Sequence, residues 1–181
     1  MKQAKKTVVL GVTGSIAAYK ACDIAGALRK SGIDVNVILT KEAEEFVSAL
    51  TFQTISGNRV SRGMFDLPEE WDPAHISLAQ RADLVLVAPA SANVIGKLAS
   101  GICDDMLTCV ILSTKAPVLI DPAMNTNMYE HKAVQQNISK LKAFGYRFIG
   151  PVKGRLACGS EGIGHIACTE DILKESKRFL K

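Results

Sequence analysis

The chain has no uninterrupted apolar run of the ~20 residues that a membrane helix needs, because Gly11 and Gly14 interrupt the N-terminal candidate. It also lacks the pattern of a signal peptide. Hydrophobic residues nevertheless make up 48% of the 181 residues and charged residues 22%, which excludes intrinsic disorder. These features predict a single domain over residues 1–181 with a cytoplasmic location and no membrane partner.

Paired cysteines are lacking as well. The five cysteines are an odd number, and no two of them form a C-x-x-C pair. In a cytoplasmic protein of this length we expect them to be reduced rather than joined in disulfides.

The basic excess of the chain is confined to its two ends. Residues 1–6 hold three lysines, and residues 174–181 hold four basic residues against Glu175. Without these ends 15 basic and 17 acidic residues remain, although the whole chain carries a net charge of +4. A basic surface that binds nucleic acid would survive that subtraction, so we expect no nucleic-acid partner.

Short apolar segments alternate with helical patterns along the chain. The segments with strand character are residues 7–12, 35–39, 84–88, 118–120 and 146–149. The helical patterns cover residues 16–30, 42–50, 93–100, 104–113, 131–144 and 170–180. This βαβ order predicts a three-layer α/β/α fold with a doubly wound parallel sheet, flavodoxin-like or Rossmann-like. Residues 62–74 and 150–164 fit neither pattern, and long loops of this kind are often functional.

The first predicted strand ends in the turn GVTGS at residues 11–15, and a helix follows at once. Free N–H groups at a helix start attract phosphate, although a plain turn with Ser15 as the helix cap fits the same residues. A Walker A loop is excluded because no Gly-Lys-Ser/Thr follows. The second strand ends in Thr40 and Lys41, where dinucleotide-binding proteins carry an acidic residue for the ribose. The turn therefore favours a mononucleotide such as FMN over NAD.

Three further motifs accompany this turn, namely AHI at residues 74–76, PASAN at 89–93 and PAMNTNMY at 122–129. Together with Gly14-Ser15 they resemble the motifs of the flavin-containing cysteine decarboxylases. Within that family they are most similar to the members that act on 4′-phosphopantothenoylcysteine in coenzyme A biosynthesis. The resemblance runs from about residue 7 to residue 170. Tyr129 departs from it, because several members have Trp at this position.

The resemblance implies FMN-dependent decarboxylation of 4′-phosphopantothenoylcysteine to 4′-phosphopantetheine. It also implies a homotrimer or dodecamer with each flavin at a subunit boundary. FMN would supply the electron sink that a departing CO₂ requires. The residues that would hold FMN are Gly14, Ser15, Ile16, Thr40, Ser91, Ala92, Asn93, Val94 and Ala123.

His75 and Asn125 lie within these motifs and suit the chemistry. An imidazole can accept the proton of the substrate thiol near neutral pH. The amide of Asn125 can donate a hydrogen bond to the substrate carboxylate without a fixed charge that would hold it too firmly. The structural alternatives are a surface or capping histidine, which we expect for His131 and His165, and an Asn that bonds its own backbone. Met128 is expected to form an apolar wall of the substrate site.

Cys158 lies in the glycine-rich segment ACGSEG at residues 157–162, which suggests a flap over the substrate. A thiol keeps its proton at neutral pH, where an ordinary carboxyl group has lost it, so Cys158 is the candidate proton donor for the second half of the reaction. The alternatives are an inert buried cysteine or a zinc site with His165 and Cys168. The spacing of these three residues fits no common structural zinc pattern, so we predict no metal.

Several other functions are compatible with parts of the pattern. A peptide-cysteine decarboxylase of lantibiotic maturation would stop at the enethiol and have no use for the proton donor. A flavin prenyltransferase has a similar fold but does not account for His75 and Asn125. A non-catalytic FMN-binding regulatory protein would tend to lose catalytic residues. The presence of His75, Asn125 and Cys158 favours the enzyme.

Overall fold

Parallel strands form the central sheet of the computed structural model, which describes residues 5–64, 74–155, 157, 159 and 161–180. These strands are β1 (Thr7–Val12), β2 (Asp34–Leu39), β3 (Leu84–Ala90), β4 (Val118–Pro122) and β5 (Arg147–Phe148). They lie in the order β2-β1-β3-β4-β5 and all pair in parallel. This is the flavodoxin-like strand order, so the predicted fold class is confirmed.

Helices cover both faces of the sheet. A 3-10 helix at Ile16–Tyr19 precedes α1. The α-helices are α1 (Lys20–Lys30), α2 (Lys41–Glu44), α3 (Ala49–Ser56), α4 (Ala74–Arg81), α5 (Ala92–Ser100), α6 (Met106–Ser113), α7 (Thr126–Glu130), α8 (Lys132–Ala143) and α9 (Thr169–Phe179). Within the described ranges no helix is long and apolar enough to cross a membrane.

The strand side chains alternate between two apolar layers. Leu10 and Leu86 pack into the layer that α1, α3 and α9 cover, whereas Val9 and Val87 pack into the layer of α5, α6 and α8. All four side chains are fully buried. Because both faces of the sheet are covered, its strands are continuous apolar runs in the sequence, which is why they could be predicted.

The helix predicted over residues 42–50 is wrong. Helix α2 ends at Glu44, and α3 begins only at Ala49. The helical pattern is interrupted because Ser48 caps α3. Its Oγ accepts a hydrogen bond from the Thr51 N–H at 3.4 Å. The helix predicted over residues 16–30 is divided as well, since its first turn is the 3-10 helix.

Residues 150–164, for which no element was predicted, contain most of a β-hairpin. Its antiparallel strands are β6 (Val152–Arg155) and β7 (Glu161–His165). Thr126 donates through Oγ1 to the Ile163 carbonyl (2.8 Å), and the Met124 N–H donates to the Gly164 carbonyl (3.0 Å). The hairpin is therefore attached to the segment that follows β4.

Candidate functional site

The carboxyl ends of β1, β3 and β4 meet at one edge of the sheet, where hydrogen bonds join the turns that follow them. Buried Thr13 donates through Oγ1 to the Pro89 carbonyl (2.8 Å) and accepts from the Ser91 N–H (2.8 Å). The Ala123 N–H donates to the Ala90 carbonyl (3.0 Å). The segments 11–15, 89–93 and 122–129 therefore form one continuous surface at the edge where such sheets bind ligands.

Gly14 and Ser15 shape the first of these turns. Ser15 caps the 3-10 helix by accepting from the Ala17 N–H at 3.4 Å, which is the capping role considered for it from the sequence. Gly14 has no room for a side chain, because an added Cβ would lie 2.5 Å from the Cβ of Glu42. The close approach of α2 therefore requires glycine at this position.

A cavity of about 560 Å³ opens at this edge of the sheet. Eight of the predicted site residues line it, namely Gly14, Ser15, Ile16, Ser91, Ala92, Ala123, Asn125 and Met128. The other described residues of its lining are Ala17, Tyr19, Lys20, Met124, Arg155, Ala157, Gly164, His165 and Ile166. The volume lies in the range of small-molecule and cofactor sites.

Thr40, Asn93 and Val94 are outside the described lining of this cavity. Thr40 is buried and caps α2, its Oγ1 accepting from the Ala43 N–H at 3.3 Å. Val94 is a core residue whose N–H donates to Ser91 Oγ at 3.4 Å, and Asn93 is exposed. Val94 therefore orients Ser91, which does line the cavity.

Asn125 both caps α7 and lines the cavity. Its Oδ1 accepts from the Asn127 N–H at 2.9 Å, so the backbone-bonding role considered from the sequence is present. Because Oδ1 is the capping atom, Nδ2 is the donor end of this amide. Met128 lies one turn later, is 49% exposed, and adds an apolar side chain to the cavity wall.

His75 lies in the first turn of α4 and is not among the described residues that line the cavity. The other end of α4 is near the amino end of β2, where Arg81 Nη2 lies 4.0 Å from Asp34 Oδ2. Helix α4 therefore runs antiparallel to the strands, and its first turn lies toward the edge of the sheet formed by their carboxyl ends.

Cys158 lies outside the described residues. Of the described residues near it in the sequence, Arg155, Ala157 and Gly164 line the cavity. The role predicted for Cys158 therefore stays a prediction from the sequence.

Lys20 and His165 are cavity residues that the sequence analysis missed. Lys20 Nζ lies 3.0 Å from His165 Nε2, and His165 Nδ1 lies 2.7 Å from the Ile166 carbonyl oxygen. His165 was expected to be a surface or capping residue, but the structure places it in the wall of the cavity. No local pattern could have indicated this, because the two residues are 145 positions apart.

Asp121 is a fully buried carboxyl group on β4, two residues before Ala123. Its Oδ2 accepts from the Ala167 N–H at 3.1 Å, which connects β4 to the segment between β7 and α9. Burial raises its pKa from 3.8 to about 8, because this one backbone donor offsets little of the cost of desolvation. The folded chain therefore holds a proton on Asp121 at neutral pH, whereas the unfolded chain does not.

This proton makes stability depend on pH. Between the unfolded pKa of 3.8 and the folded pKa of about 8, the folded state binds more protons, so the free energy of unfolding falls as the pH rises. Asp121→Asn keeps an acceptor for the Ala167 N–H and cannot ionise. We therefore expect this variant to lose much less of its free energy of unfolding as the pH rises. The melting temperature should rise relative to wild type at about pH 8 and change little at about pH 5. Exposed Asp23→Asn is the control, and an unchanged pH slope in Asp121→Asn would contradict the assignment.

Comparison with known proteins gives consistent matches over nearly the whole chain. The flavoprotein family model matches residues 1–181. The coenzyme A biosynthesis bifunctional protein CoaBC of Bacillus subtilis is 49% identical over 96% of this chain and 43% of its own length. The chain thus spans less than half of such bifunctional relatives. The probable phosphopantothenoylcysteine decarboxylase of Streptococcus mutans is 45% identical over 97% of this chain and 99% of its own.

Solved structures show the same fold. A mutant PPC decarboxylase complexed with pantothenoylaminoethenethiol superimposes with a TM-score of 0.87 at 31% identity, covering 98% of this chain and 99% of its own. The FMN binding protein AtHal3 superimposes with a TM-score of 0.83 at 32% identity, covering 97% of each chain.

Proposed function

This chain belongs to the flavoprotein family, and on that premise we propose that it binds FMN and converts 4′-phosphopantothenoylcysteine to 4′-phosphopantetheine and CO₂, a step of coenzyme A biosynthesis. The observation that carries the proposal is the single cavity in which the turns at Ser15 and Ser91 lie together with the amide of Asn125. We propose that the chain is a carboxy-lyase that acts in the cytoplasm.

The residues of the cavity fit FMN. Ser15 lies in the turn after β1 and Ser91 in the turn after β3. Backbone N–H groups at the start of the nine-residue helix α5 favour an anion such as a phosphate. The small side chains of Ala92 and Ala123 in the cavity lining give access to a flat ring. We propose that these residues and Ile16 hold FMN, with Thr40, Asn93 and Val94 supporting them.

When bound, FMN supplies a two-electron acceptor, which makes the loss of CO₂ from a cysteine carboxylate possible. The chain's own part begins with the substrate carboxylate. Asn125 would donate to it through Nδ2, while its Oδ1 is held by Asn127. A neutral donor binds the carboxylate without stabilising it as strongly as a cation would, so CO₂ can still leave. Met128 and Met124 would cover the apolar part of the substrate.

His75 would accept the proton of the substrate thiol. Because His75 is absent from the described lining of its own cavity, we extend the proposal to a homotrimer or dodecamer in which His75 of the partner subunit completes the site. Three exposed apolar side chains at the mouth of the cavity support such a contact: Ile16 (55% exposed), Tyr19 (57%) and Met128 (49%). Burying them against a second subunit would be favourable.

Cys158 would return a proton to the decarboxylated substrate. We expect Cys158→Ala to release CO₂ but to accumulate a product two hydrogen atoms short of 4′-phosphopantetheine, because the side chain that protonates it is gone. Mass spectrometry of the products measures this difference directly. Cys103→Ala, at an exposed cysteine, is the matched control and should give the complete product. Complete product from Cys158→Ala as well would refute the proton-donor role.

The whole proposal is tested by offering two substrates side by side. Protein loaded with FMN is incubated with 4′-phosphopantothenoylcysteine and, separately, with a peptide that ends in cysteine. The masses of the products are then measured by mass spectrometry. Loss of CO₂ alone from the first substrate supports the proposal. Reaction of the peptide only, with loss of CO₂ and two hydrogen atoms, would instead identify a peptide-cysteine decarboxylase.

A further inference from the structure

Lys20 is a cation in the cavity wall. It is partly buried, and among the described residues no carboxylate lies within ion-pair distance of its Nζ. By contrast, Lys97 contacts two carboxylates, at 2.7 Å and 3.0 Å. A partly buried ammonium group without a counter-charge is unfavourable unless an anionic ligand supplies one.

His165 orients this ammonium group. Its Nδ1 lies 2.7 Å from the Ile166 carbonyl oxygen, which can only accept, so Nδ1 carries the ring proton. Nε2 is then the acceptor for Lys20 Nζ, at 3.0 Å. The contact holds Lys20 Nζ beside the hairpin residue His165. It uses one of the three N–H donors of Lys20, and no described residue accepts from the other two.

The described lining of the cavity holds one further cation and no anion. Arg155, at the end of β6, also lines it, and its described lining contains no Asp or Glu. Arg155 and His165 both belong to the hairpin, and Cys158 follows Arg155 by three residues in the sequence. The cations of the described lining are therefore Arg155 of the hairpin and Lys20, which contacts the hairpin through His165.

We propose that Lys20, oriented by His165 and assisted by Arg155, binds the phosphate monoester of the substrate. The inference rests on the proposed function, since it assigns to one subsite the phosphate of 4′-phosphopantothenoylcysteine. A phosphate monoester carries up to two negative charges near neutral pH and three strong acceptor oxygens, which matches two cations and their N–H donors. The subsite makes the enzyme prefer a phosphorylated small molecule to a peptide.

The test compares 4′-phosphopantothenoylcysteine with pantothenoylcysteine, which lacks the phosphate. In wild type we expect a lower KM for the phosphorylated substrate. Lys20→Gln should raise that KM about tenfold to a hundredfold, the usual effect of losing a charge-assisted hydrogen bond. It should leave the KM of the dephosphorylated substrate and the kcat of both nearly unchanged. Lys20→Arg, which keeps the charge, should recover part of the preference, and Lys30→Gln at the other end of α1 is the matched control.

A binding measurement makes the test independent of turnover. Titration of the FMN-loaded protein with 4′-phosphopantetheine and with pantetheine, by calorimetry, should show a phosphate-dependent gain in affinity that Lys20→Gln abolishes. His165→Ala should reduce this gain while the chain stays folded, because the ammonium group loses its orientation.

Two results would overturn the inference. One is an unchanged phosphate preference in Lys20→Gln. The other is a loss of FMN affinity in Lys20→Gln, measured as flavin bound per chain, with the substrate preference retained, which would assign Lys20 to the phosphate of FMN instead. Failure of wild type to decarboxylate either substrate would count against the proposed function, and the calorimetric comparison would still decide the role of Lys20.

Discussion

Asn125→Asp should lose decarboxylase activity while remaining folded and loaded with flavin. The capping oxygen at Asn125, which accepts from the Asn127 N–H at 2.9 Å, is retained because Asp caps helices as well as Asn does. The Nδ2 donor, however, is replaced by a second oxygen of an ionised carboxylate. That oxygen would repel the substrate carboxylate instead of donating to it.

The expected effect is large, because placing like charges together at a binding site costs several kcal/mol. We expect kcat/KM to fall by about a thousandfold or more, or roughly 4 kcal/mol in transition-state stabilisation. Asn127→Asp is the control: it adds the same charge to the same helix turn, at an exposed side chain outside the described lining of the cavity. Asn125→Asp with activity within about tenfold of this control would remove Asn125 from the carboxylate site.

His75→Asn is the second variant for which we expect a large loss. Removing a general base lowers the rate by about 10²- to 10⁴-fold. Bound flavin should be unchanged, because His75 is not among the residues that we propose to hold FMN. His131→Asn makes the same substitution at a helix N-cap, where Asn can replace the Nδ1 that accepts from the Ala133 N–H (3.2 Å). It should therefore remain active.

The same variant tests whether the site is shared between subunits. Chains carrying His75→Asn and chains carrying Asn125→Asp are each expected to be inactive alone. If the partner subunit supplies His75, unfolding and refolding the two together creates some sites with both intact residues, and activity returns. Mixed oligomers that form but stay inactive would mean that His75 does not act across a subunit boundary.

The fold could be predicted largely because its strands are buried on both faces. Strands such as β1, which was predicted with its exact bounds, are continuous apolar runs, and the helices between them carry amphipathic patterns. The glycine-containing turn at residues 11–15 and the motif at 122–129 follow two of these strands directly. Parallel topology then brings the carboxyl ends of the strands together, so much of the cavity lining follows from the order of elements.

What could not be predicted depends on contacts between distant positions. The strands of the hairpin carry Gly154 and Gly162, and only one of their residues is buried, so they show no apolar alternation. Thr13 joins the turns after β1 and β3 through a bond to Ser91, 78 positions away. The contact between Lys20 and His165 likewise exists only in the folded chain. The break in the helix predicted over residues 42–50 was in principle detectable, because Ser48 is a typical N-cap residue.

The central claim is that this cavity decarboxylates a cysteine conjugate with the help of a bound flavin. The most direct measurement is the CO₂ released from 4′-phosphopantothenoylcysteine by protein stripped of its cofactor, before and after FMN is added back. We predict a yellow protein that evolves no CO₂ when stripped and regains full activity with one FMN per chain. A colourless protein that cannot be reconstituted with FMN and still releases CO₂ would contradict the account.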